Sequence, residues 1–270
     1  MTETSNGTSA RRNRLLPLRA VLRPQVVLPL ASLAAFLSAW EAVGRSVNPL
    51  LFAPPSRVVG AFIDLLRSGE LLTATATTLN VLITGYALAI LVGVPLGVVM
   101  AQARTFGALV NPYFYGIFAT PRVVVVPLII VWFGVGYTGR LFLVFLWTMI
   151  AISTTTADGV RNARPDLVEV ARSYGVSQTQ LVRHVLLPGA VPFVVSGLRI
   201  GAERAVVGVV IGEMFLQLTG LGGIIVVNAS QFQTAHMLVG VVTIAVIGTV
   251  LIGALDLLER RFSSWKTTSN

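Results

Sequence analysis

DGVRNARPDLVEVARSYGVSQTQLVRHVLLPGAVP, residues Asp158–Pro192, is the longest polar interval between apolar runs in this chain. Its residues read as two ordered helices and not as a linker. Pro165 suits the first position of a helix, and Asp166 falls in the first turn, where the helix dipole favours an anion. Gly175 supplies the left-handed residue that commonly terminates such a helix. Ser177 and Gln180 have the spacing of a capping box, so a second helix starts at once. Pro188 is expected to end it, because its ring clashes with the preceding turn and a backbone donor is lost. The spacing therefore predicts a compact elbow of helix, glycine corner and helix.

The surrounding chain is strongly apolar. Its 270 residues are 54% hydrophobic and 11% charged, against about 25% charged in an ordinary soluble domain. The apolar residues fall in long runs, so the expected class is an all-α membrane protein. There is no cysteine, which removes disulfides, thiol catalysis and cysteine-held metal. With only two histidines, a metal site is not expected. The net charge of +9 would point to nucleic acid only if it formed a basic face on a soluble module. In an integral protein, excess arginine marks the cytoplasmic side, and no nucleic-acid partner is expected. No G-x-x-x-x-G-K-[S/T] phosphate loop and no triad or carboxylate pair on a soluble scaffold is present. No catalytic residue is assigned, and the chain is expected not to be an enzyme.

Six spans are expected, at about 26–43, 75–100, 112–133, 139–157, 193–218 and 237–258, within a single membrane domain of 25–259. Residues 1–24 form a basic N-terminal tail whose five arginines from Arg11 to Arg23 lie against anionic lipid, and 260–270 form a C-terminal tail. The run from Val26 to Val43 is long enough to span, and no clear A-x-A site follows, so an uncleaved first span is expected in place of a signal peptide. Pro55 to Leu66 reads as a short amphipathic helix, resting on the outer membrane face or filling space in the bundle. Gln102 to Asn111 reads as a short turn. The third span is interrupted at Pro121-Arg122 and Pro127, a break tolerated where freed backbone faces protein or a water-filled cavity. Thr219 to His236 is a less apolar, glycine-led stretch. Gly93-x-x-x-Gly97, Gly197-x-x-x-Gly201 and Gly208-x-x-x-Gly212 allow close approach of helices.

Six spans place both termini on one side. That side holds the N-terminal arginines, Arg104, the elbow's Arg161, Arg164, Arg172 and Arg183, and Arg260, Arg261 and Lys266. The other side has Arg45, Arg57, Arg67 and Arg140. The bias puts both termini and the elbow (158–192) in the cytoplasm of a multi-pass protein.

Ionisable residues at membrane depth face a bundle interior or cavity by default. Arg122, Arg199, Glu203, Arg204 and Glu213 are of this kind, and Asp256 sits near a helix end. Arg199 and Glu203 are spaced to share one helical face and neutralise each other. Glu203 and Arg204 point about 100° apart. Two readings stand: structural ion pairs with snorkelling side chains, or a passage for an anionic solute lined by Arg122 and Arg199.

The elbow also carries a family resemblance. Glu169-Val-Ala171, Gly175 after three residues, Val185 after nine more, and Leu187-Pro188 resemble the EAA loop of ABC-importer permeases, with Val170 and Val185 as conservative departures. Ala119-Thr-Pro121-Arg-Val-Val-Val-Val-Pro-Leu128, Trp132-Phe-Gly134-x-Gly136, Leu187-Pro-x-Ala-x-Pro192, Gly197-Leu-Arg199, Glu213 and Gly220-Leu-Gly222 resemble the nitrate, taurine and aliphatic-sulfonate branch of that family. The resemblance runs from about Val26 to Leu258. It implies a type I importer permease in a bacterial plasma membrane. The partners it implies are a second copy of itself, two ABC ATPase subunits and a periplasmic or lipid-anchored substrate-binding protein. ATP and Mg belong to the ATPase, and this chain binds no cofactor. The coupling residues it implies are Glu169, Ala171, Tyr174, Gly175, Val176, Ser177, Leu187 and Pro188. The translocation path would use Pro121, Arg122, Arg199, Glu203 and Glu213, although Glu203 is not part of the family pattern. The solute expected is a small anion such as a sulfonate, taurine or nitrate. The alternatives are an importer of a pyrimidine or thiamine precursor, riboflavin, an aromatic acid, methionine or molybdate; a secondary transporter or channel needing no ATPase; and a signalling or scaffolding subunit that uses the elbow only as a dock.

Overall fold

A computed structural model describes residues 24–48, 50–162 and 165–263. The basic N-terminal segment and Lys266 of the expected C-terminal tail lie outside these residues. Among the described residues every regular element is helical: α1 (Pro24–Ser46), α2 (Pro55–Arg67), α3 (Glu70–Gln102), α4 (Arg104–Ala119), α5 (Arg122–Phe133), α6 (Tyr137–Arg161), α7 (Pro165–Ser173), α8 (Gln178–Leu181), α9 (Leu187–Phe215), α10 (Gly220–Ser230) and α11 (Thr234–Ser263). Five helical stretches are long and apolar enough to cross a membrane, and six if the bent pair α4–α5 counts as one.

The bundle is built around α6. Its side chains from Leu143 to Val160 are buried on almost every face, with Trp147, Ile150 and Ile152 fully enclosed. Two glycine-bearing helices clasp it. On α3, a Cβ placed on Gly85 would stand 2.7 Å from Val144 Cγ1, and one on Gly97 would stand 2.5 Å from Ser153 O. On α9, a Cβ on Gly201 would meet Ile152 Cγ1 at 2.8 Å, and one on Gly212 would meet Arg140 Cγ at 3.2 Å. Rising residue numbers in α3 meet rising numbers in α6, so those two helices run parallel. Along α9 the numbers fall, so α9 runs antiparallel. All three G-x-x-x-G pairs read in the sequence thus serve close helix approach, where dispersion between backbones replaces the hydrophobic drive that lipid cannot supply.

The peripheral elements close one end. Ala61 and Leu65 of α2 bury against Leu71 and Ala74 of α3, Leu221 and Ile224 of α10 and Val239 of α11. The amphipathic helix is therefore packed into the bundle, with Val59, Phe62 and Leu66 turned outward. Helix α1 is held chiefly by its end. Trp40 Nε1 donates to Ala53 O at 3.1 Å, and Glu41 accepts the Ser56 N–H at 3.0 Å and the Ser56 hydroxyl at 2.7 Å. A carboxylate on one helix thereby caps the first turn of the next.

Three expectations are corrected. Residues 104–111 are helical, because Pro112 sits inside α4 where membrane helices tolerate it. Pro127 likewise sits within α5. The single break is at Thr120-Pro121, where both residues are extended and the axes of α4 and α5 meet at 106°. The glycine-led stretch after Thr219 is also a helix, α10, because Gly220 at φ +63 makes the turn and the residues after it are apolar.

Candidate functional site

The elbow begins with α7 and turns at Gly175, whose φ is +71. The Val176 N–H donates to Ala171 O at 3.3 Å, and the Gly175 N–H donates to Arg172 O at 3.0 Å. These two crossed bonds make a Schellman corner, which requires the left-handed residue and satisfies carbonyls that the helix end would leave bare. The spacing from Ala171 to Gly175 is thus the spacing of that corner. Ser177 then caps α8: its hydroxyl accepts the Gln180 N–H, while Gln180 Oε1 accepts the Ser177 N–H at 3.0 Å. The capping box expected from the sequence is present.

Pro188 does not end this helix. Between α8 and α9 the backbone widens into a π-turn, Val182–Leu186, in which the Leu187 N–H donates to Val182 O, five residues back. The extra residue moves the carbonyls that the Pro188 ring would strike, so one continuous rod runs from Gln178 to Phe215. No loop therefore separates α8 from α9.

Helix α7 projects from this rod, with α8 and the π-turn as its main neighbours. Leu167, Val170 and Tyr174 recur at helical spacing and are exposed, Tyr174 by 83%. Glu169 is exposed on the same short helix, Ala171 is half-buried, and Gly175 has open space around its Cα.

The charged residues at membrane depth separate into three groups. At the break between α4 and α5, Arg122 Nη1 donates to Arg204 O at 3.2 Å, and the Arg204 guanidinium lies over the Phe118 ring at 4.9 Å from its centroid. Arg204 Nε is buried and has no partner among the described residues. Pro121 is exposed beside them, and Glu203 is exposed on a different face of α9. Nearer the elbow, Arg199 Nη1 stands 3.1 Å from Asp256 Oδ1 and 3.9 Å from Glu259 Oε2 of α11. The expected Arg199–Glu203 pair is replaced by this one: packing of α11 against α9 brings two carboxylates to Arg199, while Glu203 stays exposed.

The third group lies at the far end and is enclosed. Glu213 is fully buried and accepts the Thr78 hydroxyl at 2.8 and 2.9 Å and the Gly222 N–H at 3.0 Å. Thr78 Oγ1 in turn accepts the Leu221 N–H at 2.9 Å. Arg140, counted from sequence among the outer loop charges, is buried instead and donates to Thr219 Oγ1 at 2.6 Å. Glu213 and Thr78 thus cap the start of α10, and Arg140 holds the turn before it. Sequence reasoning had no signal for Thr78, a single hydroxyl in an apolar helix. Arg204 was noticed only as a charge, because Phe118 lies far from it in sequence.

Comparison with known proteins agrees with this architecture. Residues 93–264 match the family model for the binding-protein-dependent transport system inner membrane component. The taurine transport system permease protein TauC of Escherichia coli (strain K12) is 30% identical over 261 residues, 94% of each chain. The riboflavin transport system permease protein RibX of Chloroflexus aurantiacus is 34% identical over 247 residues, 91% of this chain and 92% of the relative. The putative aliphatic sulfonates transport permease protein SsuC of Bacillus subtilis (strain 168) is 27% identical over 238 residues, 87% and 86% of the two chains. Among solved structures, an inward-facing MetNI methionine ABC transporter superposes with a TM-score of 0.65 at 19% identity, covering 73% of this chain and 97% of that one. Helical spans, a glycine-packed bundle and sequence likeness along nearly the whole chain lead to one assignment: the protein belongs to the binding-protein-dependent transport system inner membrane component family, the permeases of ABC importers.

Proposed function

We propose that this chain is the subunit through which an ABC importer passes a small organic or inorganic anion, with its elbow docked on a separate ATPase. The observation that carries the docking is α7: an apolar stripe of Leu167, Val170 and Tyr174 stands exposed on a helix locked by a Schellman corner. Such a stripe on a rigid, water-facing helix fits a partner's groove. Glu169, Ala171, Gly175, Val176 and Ser177 build or border the dock, and Leu187 and Pro188 join it to α9. ATP and Mg act in the ATPase, and this chain holds neither. A second copy of the chain, two ATPase subunits and a substrate-binding protein complete the assembly, with both termini and the elbow in the cytoplasm.

The anion reading rests on the α4–α5 break. There Pro121, Arg122 and Arg204 meet the N-terminal end of α5, whose dipole adds partial positive charge. Arg199 serves as an ion-pair tie and Glu213 as a structural cap, so the path is assigned to Pro121, Arg122 and Arg204. TauC and SsuC carry names of sulfonate transport, whose solutes are anionic at the sulfonate, and this agrees with that charge.

The test is a reconstitution of the chain in lipid discs with its ATPase and binding protein, supplied with taurine, alkyl sulfonates, nitrate or riboflavin. Sulfonate-stimulated ATP turnover that collapses in Glu169→Ala is the expected result. In liposomes, Arg122→Ala should lower sulfonate uptake at least about tenfold, the loss of one charge-assisted contact. Solute flux without any ATPase would overturn the docking, and stimulation by riboflavin alone would overturn the anion.

A further inference from the structure

Between the elbow and the bundle lies a half-open cavity of about 550 Å³. It lies where α3 ends, α4 begins and α6 ends, with α7 and α8 as its floor. Such a volume is within the usual range of small-ligand pockets, roughly 300–1,000 Å³. Three arginines line it, Arg104, Arg161 and Arg172, together with the amides of Gln102, Asn111 and Gln178. No carboxylate is among the described lining residues. One Arg161 N–H is committed to Met100 O at 3.0 Å, and this bond anchors its guanidinium at the rim.

Neither the dock nor the anion passage uses this cavity. Its chemistry is that of a phosphate site: guanidinium forks match phosphate oxygens two at a time, and side-chain amides add neutral donors. Its depth is that of a lipid headgroup, because three apolar helices have their ends there. The face of α4 that carries Arg104, Ala108 and Asn111 continues one turn further to Tyr115, which is exposed. An acyl chain leaving the cavity would run along that face into the hydrocarbon.

We infer that this cavity binds a phosphate group, presented by an anionic phospholipid of the adjoining leaflet, and that the lipid wedges the elbow against α4 and α6. Basic pockets between membrane helices select anionic headgroups in this way. The bound lipid would set the angle at which α7 leaves the bundle, and so make elbow position sensitive to lipid composition.

The test uses the full chain, delipidated in a neutral detergent and examined by native mass spectrometry. Phosphatidylglycerol, phosphatidylcholine and inorganic phosphate are added separately and in competition. One tightly held phosphatidylglycerol per chain is expected, preferred at least about tenfold over phosphatidylcholine. Arg104→Gln with Arg172→Gln should abolish that preference. Ala108→Trp, which fills the cavity without touching a charge, should abolish it too, whereas Arg57→Gln with Arg67→Gln at the opposite end should leave it intact. Equal retention of both lipids, or retention of phosphatidylglycerol by both cavity variants, would overturn the site. Displacement of the lipid by sub-millimolar inorganic phosphate would keep the phosphate site and overturn the lipid as its source.

Discussion

Two residues show how differently a single side chain can matter in this fold. Glu213 is enclosed and holds Thr78 and the Gly222 N–H. Replacing it with alanine would leave a buried hydroxyl and a buried amide without their acceptor, at about 3 kcal/mol. The expected outcome is a marked fall in melting temperature for Glu213→Ala in detergent micelles. Thr78→Val should cost a similar amount, about 2–3 kcal/mol, since it leaves the buried Leu221 N–H without its acceptor and removes a donor from Glu213. Gly175 is the opposite case. Nothing lies within 4 Å of a Cβ built there, so its constraint is the backbone φ of +71. Gly175→Asn should be tolerated and Gly175→Val should cost about 1–2 kcal/mol locally. Faster hydrogen exchange at the Val176 amide, with unchanged global melting, is the measurement that checks it. The motif's glycine was legible in the sequence as a helix stop. The crossed bonds from Val176 and Gly175 supply the reason for its fixed distance from Ala171.

At the scale of elements, packing is set by glycine faces and continuity by a widened turn. Gly97→Ala pushes a methyl toward the Ser153 carbonyl at 2.5 Å, and overpacking of this kind costs about 1–3 kcal/mol. Gly60→Ala in α2 meets open space and should raise stability by up to about 1 kcal/mol through helix propensity. Comparing the two by thermal unfolding separates a glycine that packs from one that does not. The G-x-x-x-G spacing was readable in advance, because small residues one turn apart mark a face. Which helix each face would meet was not, since α6 carries no glycine pair of its own to advertise it. The π-turn was equally hidden. Proline next to a polar segment reads as a stop, and only the tertiary path of α9 rewards continuing the helix through it. Pro188→Ala should leave melting nearly unchanged while lowering ATP turnover coupled to uptake, as the rod loses the reason for its widened turn.

At the scale of the whole molecule, α9 and α11 are tied near the elbow by Arg199 with Asp256 and Glu259. These side chains are a third to a half exposed, so a double-mutant cycle on Arg199 and Asp256 should return only about 0.5 kcal/mol in stability. A coupling several times larger, measured by unfolding in lipid discs, would contradict that reading. Outer faces of α1, α5 and α11 expose Phe36, Val131, Trp132 and Val250, surfaces that lipid or a second copy can cover. Because the chain has no cysteine, single cysteines placed along these faces test the proposed homodimer directly. Cross-linking restricted to one face in native membranes is the expected outcome, and none on any face would speak against the dimer.

The sequence by itself determined the class, the long apolar helices and the elbow, because hydropathy runs, capping residues and turn glycines act within a few residues of one another. Its Glu169-to-Pro188 pattern, set among long apolar runs and the motifs around Pro121 and Gly197, pointed to the family. Tertiary structure alone decided which charges meet. Arg199 found Asp256 instead of Glu203, Arg204 found Phe118, and Glu213 found Thr78, a residue 135 positions away. In a membrane interior an unpaired polar group is costly, so the charges meet where helix packing brings them together, and that packing is not written in the local sequence.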